Sequence, residues 1–132
     1  MKYMLDTNII VYAKNNRLAG VFERFMEYDP SELSVSAITM AELEYGVQRS
    51  SRPWQNQLAL MLFLSRIAIL PFDDMAAREY GVIRAELARI GQPIGGNDLL
   101  IAAHAKALGL TLITNNMREF ARVAGLKVEN WV

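Results

Sequence analysis

Three carboxylates, Asp6, Glu42 and Asp98, stand where short apolar segments give way to helical ones, and a polar Thr114-Asn115-Asn116 turn follows a fourth such segment. Each has a plain structural reading on its own. Thr39-Met40-Ala41-Glu42 has the spacing of a capping box, in which hydroxyl and carboxylate satisfy the exposed N–H groups of a helix start. Asn97 or Asp98 suits a helix N-cap, and so does the Asp6-Thr7-Asn8 run. Their joint occurrence points further. Acids that converge on one pocket repel each other in a low dielectric, so their pKa values rise or the fold weakens unless a cation sits between them.

The available donors say which cation. The chain has no cysteine and a single histidine, which leaves carboxylate and amide oxygens as ligands. Oxygen-only ligation selects a hard ion such as Mg2+ or Mn2+, of the kind that pairs with substrate phosphates. The chemistry that fits is phosphodiester hydrolysis, with water as nucleophile and the ion stabilising charge on the phosphate and the leaving oxygen. A two-histidine ribonuclease mechanism is excluded, and a Ser-His-Asp triad would rest on His104 alone. Within Ile101-Ala102-Ala103-His104-Ala105, that residue reads as a satisfied, partly buried histidine.

The elements that must position these groups follow from the patterning. Short β-like runs at residues 2–5, 33–36, 67–70 and 111–114, with a further one at 127–129, alternate with helical patterns. One helix is expected over residues 16–28, with Leu18, Val21, Phe22 and Phe25 as its buried stripe. Another follows Asp6 through Ile9-Ile10-Val11-Tyr12, and a third runs from Thr39 to Val47. Pro53 suits the first turn of the next, Asp73-Asp74 opens one that reaches Ile90, and the Asp98 helix closes at Gly109. Strands alternating with helices predict a three-layer α/β/α fold on a central, mainly parallel sheet of four to five strands, in one domain spanning residues 1–132. In such sheets ligands gather at the carboxyl ends of the strands, near the point where strand order reverses. Asp6 and the Thr114-Asn116 turn belong to that rim, with Glu42 and Asp98 facing it from the first turns of helices.

Composition narrows the setting. Fourteen basic and fourteen acidic residues cancel, so any nucleic-acid contact must come from local patches, for which Arg84, Arg89 and Arg118 are candidates beside their plainer reading as helix-surface charges. No stretch is long and apolar enough to span a bilayer, and no signal peptide pattern opens the chain, which leads to an expected cytoplasmic location. Leu58-Ala59-Leu60-Met61-Leu62-Phe63-Leu64 is apolar throughout, so its helix is either buried on both sides or covered by another chain.

Leu5-Asp6-Thr7-Asn8, Ile38-Thr39-Met40-Ala41-Glu42-Leu43 with Gly46, Asn97-Asp98-Leu99-Leu100-Ile101-Ala102-Ala103-His104-Ala105, and Leu112-Ile113-Thr114-Asn115-Asn116 with Glu119-Phe120 resemble, in order and spacing, the motifs of PIN-domain ribonucleases. The likeness is narrower still to the VapC toxins of bacterial type II toxin–antitoxin pairs, and it covers nearly the whole chain. It implies a metal-dependent endoribonuclease that arrests translation by cutting structured RNA, often tRNA in the anticodon region or a ribosomal RNA loop. It also implies a VapB antitoxin whose C-terminal segment fills the active-site groove, and toxin homodimers.

Carried over by position, Asp6, Glu42 and Asp98 are the metal-binding acids, with Glu42 either a ligand or the acceptor that orients the attacking water. Asn116 stands where many PIN domains have a fourth acid, which leaves the site one negative charge poorer. Thr114 is expected to orient a water or phosphate, and Asn8 to fix the Asp6 carboxylate. Hydrolysis by water predicts fragments with 5′-phosphate and 3′-OH ends. Two alternatives remain at this level: a haloacid dehalogenase-like phosphatase, which would want an acid where Asn8 stands, and a non-catalytic binding module with the acids reduced to caps.

Overall fold

The protein is described by a computed structural model over residues 1–15 and 25–131. The helix expected at 16–28 lies for the most part outside the described residues, although Phe25 packs onto the core with its ring 5.2 Å from that of Phe63. Five strands, β1 (Tyr3–Leu5), β2 (Leu33–Ser36), β3 (Ala68–Leu70), β4 (Thr111–Ile113) and β5 (Val128–Glu129), form one sheet in the order β3-β2-β1-β4-β5. Every pairing is parallel. The helices are α1 (Thr7–Asn15), α2 (Ala37–Gln48), α3 (Pro53–Leu64), α4 (Asp74–Arg89), α5 (Gly96–Leu108) and the short α6 (Met117–Phe120).

Strand alternation divides the core into two. Tyr3, Leu5, Leu33, Val35 and Ile113 turn to one face, where Ile9 and Ile10 of α1, Leu43 and Val47 of α2, and Leu60 and Leu64 of α3 cover them. Met4 and Leu112 turn to the other, against Ile83 and Leu87 of α4 and Leu99, Ile101, Ala102 and Ala105 of α5. Successive strand residues point to opposite faces, so a sheet buried on both sides needs apolar residues at every position, as Tyr3-Met4-Leu5 and Leu112-Ile113 supply. The three-layer α/β/α architecture and its parallel sheet are as expected. No helix among the described residues is long and apolar enough to cross a membrane.

The central strand β1 is flanked by β2 on one side and β4 on the other, so the chain leaves β1 toward one edge and later returns to build the opposite edge. That reversal opens a crevice at the carboxyl ends of β1 and β4. Local signals close the elements around it. Asp73 caps α4 by accepting the Ala76 N–H at 3.0 Å, and Gly109 ends α5 with φ of 68°, a left-handed conformation that glycine adopts without a Cβ penalty.

Two caps differ from those expected. Helix α2 begins directly after β2, so Ser36 rather than Thr39 is its N-cap, accepting the Ile38 N–H at 3.1 Å. Thr39 is already inside the first turn, fully buried, with its hydroxyl unpartnered, and Glu42 is released from capping. In α5 the N-cap is Gly95, with no side-chain cap bond, so Asn97 and Asp98 also point elsewhere. The Ser36 hydroxyl also lies 2.8 Å from His104 Nδ1, while the Pro71 carbonyl takes a hydrogen bond from the same ring. Burial pushes the His104 pKa down, favouring the neutral ring. His104 is thus a satisfied core residue.

Candidate active site

Asp6 is the first residue beyond β1 and only 3% exposed. The β1–β4 register pairs Leu5 with Ile113, which sets Asp6 beside Thr114 at the next step. Oδ1 accepts the Thr7 N–H at 2.7 Å, and Oδ2 accepts the Thr114 hydroxyl, also at 2.7 Å. Burial raises the Asp6 pKa and the charge of Glu42 adds to the rise, while the bonds from Thr114 and Thr7 oppose it. The carboxylate is therefore oriented at both oxygens by groups that stabilise its charge. Asn8, expected in that role, is exposed, and its neighbour Thr7 takes the part instead. The Thr114 hydroxyl is likewise engaged, donating to Asp6 and accepting the Asn116 N–H at 2.9 Å, so it orients a carboxylate rather than a water or phosphate.

Glu42 reaches toward the same crevice from α2. Its Oε1 accepts the Thr7 hydroxyl at 2.6 Å and its Oε2 accepts from Asn97 Nδ2 at 3.3 Å. Thr7 thus joins two acids, through its amide to Asp6 and its hydroxyl to Glu42. A groove of about 520 Å3 borders Glu42 and Asn97 and runs past Ile38 and Ala41 to Tyr45.

Asp98 enters from the first turn of α5. Its pKa is pushed up to about 7, first by burial, then by a hydrogen bond shared with Glu119 and by the charges of Asp6, Glu119 and Glu42. Glu119 moves the other way, held low by the same bond to Asp98 and by the Asn116 amide, with Arg122 adding a favourable charge. Asp98 and Glu119 thus share one proton, which burial and the neighbouring acids together favour on Asp98. Asn116 Nδ2 donates to Asp98 Oδ2 at 3.3 Å and to Glu119 Oε2 at 2.7 Å.

Glu119 corrects the expectation that asparagine at 116 costs the site a charge. The short α6 turns Glu119 back under its own N-cap residue, Asn116, and so brings a fourth carboxylate to the cluster. The signal for it is the Asn116-Met117-Arg118-Glu119 spacing, which sets an acid one turn beyond a strand-end turn. Thr7 and Arg122 also escape a reading by residue type, and Asn97, which reads as a cap, donates to Glu42 instead. Of the arginine candidates, Arg84 on α4 is occupied with Tyr80, whose hydroxyl accepts from its Nη1 at 2.8 Å, while Arg89 and Arg118 are exposed.

The donor set fits a hard cation: the side chains gathered at the crevice offer carboxylate, hydroxyl and amide oxygens, and burial, with a smaller contribution from neighbouring acids, raises the pKa values of Asp6 and Asp98. Among the described residues, no three acidic or histidine side chains are spaced to hold an ion as they stand. Glu42 accepts from Thr7 and Asn97, and Asp98 is bonded to Asn116 and Glu119.

Parallel strands, the reversal at β1 and acids around it define a nuclease-like α/β class, and comparison with known proteins gives it a name. The PIN domain family model matches residues 3–126. The chain is 46% identical over 131 residues to the tRNA(fMet)-specific endonuclease VapC of Shigella flexneri, covering 99% of this chain and 98% of that one. It is 46% identical over 132 residues to ribonuclease VapC2 of Haemophilus influenzae, covering 100% and 99%. Among solved structures it is similar to VapBC2 of Rickettsia felis bound to a promoter DNA fragment, with TM-score 0.93, 44% identity and all of both chains covered. VapBC of Salmonella typhimurium bound to DNA gives TM-score 0.94 and 42% identity, covering 100% of this chain and 99% of that one. The chain belongs to the PIN-domain family. Within it the likeness is to the VapC ribonucleases, and the haloacid dehalogenase-like alternative falls away.

Proposed function

We propose that this chain is the toxin of a type II toxin–antitoxin pair, a Mg2+-dependent endoribonuclease that works as a single domain in the cytoplasm, cuts tRNA in the anticodon region and is restrained by a VapB-type antitoxin. The observation that carries this reading is the gathering of Asp6, Glu42, Asp98 and Glu119 at the carboxyl ends of β1 and β4, with Asp98 driven to a pKa of about 7. Nothing in a binding module calls for such crowding.

Asp6 and Asp98 are the groups that would hold the ion, with Glu42 beside them. Mg2+ or Mn2+, when bound, supplies Lewis-acid stabilisation of the phosphate and leaving oxygen. Thr114 and Thr7 hold the Asp6 carboxylate in one orientation, and Asn116 holds Asp98. Glu42, held by Thr7 and Asn97 at the edge of the groove, would either join the ligands or orient the attacking water and accept its proton, and its position beside the groove supports the second role. The groove accommodates a single strand, whose unstacked bases can be read where a duplex presents mainly shape and phosphates.

Purified protein incubated with transcribed initiator tRNA should yield fragments with 5′-phosphate and 3′-OH ends in Mg2+, and none in EDTA or with Asp6→Asn. A 2′,3′-cyclic phosphate, or cleavage retained by Asp6→Asn, would reject this mechanism. No Mg2+-stimulated cleavage of tRNA or ribosomal RNA by a folded wild type would favour the binding-module alternative.

Partner binding is assigned to α3. Its run Leu58–Leu64 divides as an amphipathic helix does when only one side is buried: Leu60 and Leu64 enter the core, while Leu58, Met61 and Leu62, with Trp54, stay more than half exposed. These four large side chains make the kind of contiguous patch that marks an interface. Met61→Glu should weaken antitoxin capture or homodimer formation at least about 10-fold without lowering the melting temperature. Unchanged assembly, followed by light scattering and calorimetric titration, would remove α3 from the interface.

A further inference from the structure

A second cavity, of about 410 Å3, lies between α4 and the loop entering α5, and the chemistry above makes no use of it. Leu87, Ile94 and Leu99 give it an apolar lining, with Pro93 and Gly96 on the loop side and Tyr80 and Arg84 on the α4 side. The Arg84 guanidinium sits 5.9 Å from the centre of the Tyr80 ring and donates to its hydroxyl at 2.8 Å. We propose that this cavity is a nucleobase subsite, taking one unstacked base of the RNA close to the scissile phosphate. The proposal rests on the reading of the chain as an endoribonuclease.

The chemistry of the lining favours a base over other occupants. A planar, apolar-faced group with a polar rim matches an aromatic ring coupled to a guanidinium above aliphatic residues, and base–aromatic stacking with cation–π support is how single strands are commonly held. The volume falls in the range of small-ligand sites. Arg84, exposed on α4, also brings a positive charge to the cavity lining, which suits a sugar–phosphate linkage.

Position supplies the rest. Gly96 and Leu99 line the cavity and bracket Asp98 in the first turn of α5, so at a rise of about 1.5 Å per residue the cavity wall and the acid lie within roughly 5 Å along the helix axis. The loop is tied to the acidic centre from outside as well. Arg122 donates to the Pro93 carbonyl at 2.9 Å, and the same arginine lies near enough to Glu119 to lower its pKa. A base held here would set the neighbouring phosphate against Asp98 and the Asp6 crevice.

The probe is a short single-stranded RNA carrying 2-aminopurine, whose fluorescence is quenched by stacking, titrated into the whole protein in EDTA so that no cleavage is needed. Wild type and Tyr80→Phe should quench it alike. Tyr80→Leu should lose the quench and bind about 5- to 100-fold more weakly. Tyr80 also packs against the core, so Gly96→Ala is the second variant: a methyl there meets no atom within 4 Å, leaving the fold intact while narrowing the cavity. It should weaken quenching too. Quenching unchanged in Tyr80→Leu and Gly96→Ala overturns the subsite, as does a loss confined to antitoxin capture, which would make the cavity a protein-binding site. Tyr80-dependent quenching in a protein that cleaves no RNA would uphold the subsite and reject the nuclease reading. Cleavage with kcat/KM unaffected by both variants would do the reverse.

Discussion

Replacing Asp98 with asparagine is expected to abolish RNA cleavage and, in the same protein, to raise the melting temperature without metal at pH 8. The loss of activity, at least about 1,000-fold, follows from removing one of the two acids proposed to hold the cation, which would act on the charge of the transition state. The gain in stability follows from the raised pKa. Native Asp98 keeps its proton up to about pH 7, whereas the unfolded chain releases it near the ordinary value of 3.8. Between those limits the native state binds more protons, so stability falls as pH rises through the window, and the full cost of the ionised group is felt above pH 7. Asparagine has no proton to lose, and its amide can donate to Glu119 in place of the Asp98 proton. The carboxylate is half-buried, so solvent screening reduces the effect to on the order of 1–2 kcal/mol, or several degrees in melting temperature. Scanning calorimetry at pH 4 and pH 8 checks the sign: the variant should gain at pH 8 and match wild type at pH 4. Added Mg2+ should stabilise wild type more strongly than the variant. A variant less stable than wild type at pH 8 would show that burial and the neighbouring acids do not disfavour ionised Asp98 as described.

Thr114→Val should lower stability by about 1–3 kcal/mol and reduce cleavage at least about 10-fold. Valine matches threonine in shape, so the cavity term is small, but the buried Oδ2 of Asp6 would lose its donor and the Asn116 N–H its acceptor. An ionised carboxylate left without its hydrogen bond takes a higher pKa and binds a cation less readily at neutral pH. Cleavage by the variant should therefore recover as pH is raised, which a merely destabilised protein would not do. Thr114→Ser, which keeps the hydroxyl, should behave much like wild type. Equal stability and an unshifted pH profile for Thr114→Val would mean that the hydroxyl does not govern Asp6.

Much of this centre is legible in the chain because its cues are local. A run such as Tyr3-Met4-Leu5 ending in Asp6 reports a buried strand and its end together, and Gly109 reports a helix stop through its own backbone freedom. The capping-box reading of Thr39 and Glu42 fails for the opposite reason. A capping box depends on where the helix starts, and β2 running to Ser36 moves that start by three residues, which buries Thr39 and turns Glu42 to Thr7. Glu119 is named in the last motif, but its bond to Asp98 depends on a short helix folding back beneath Asn116, which the spacing alone does not specify.

The ingredients are written in residue type and order: oxygen donors without thiols, acids at the boundaries of buried segments, and strands alternating with helices. Residue type and periodicity act over a few positions, and these features need no more. It takes the packed fold to give Asp6 and Thr114, 108 positions apart, a shared hydrogen bond, to link Asp6 to Glu42 through Thr7, and to join Glu119 to Asp98. Those contacts follow from the strand order β3-β2-β1-β4-β5 and the Leu5–Ile113 register. Order and register are chosen by the packing of both sheet faces at once, a sum over the whole core that no single stretch of chain contains.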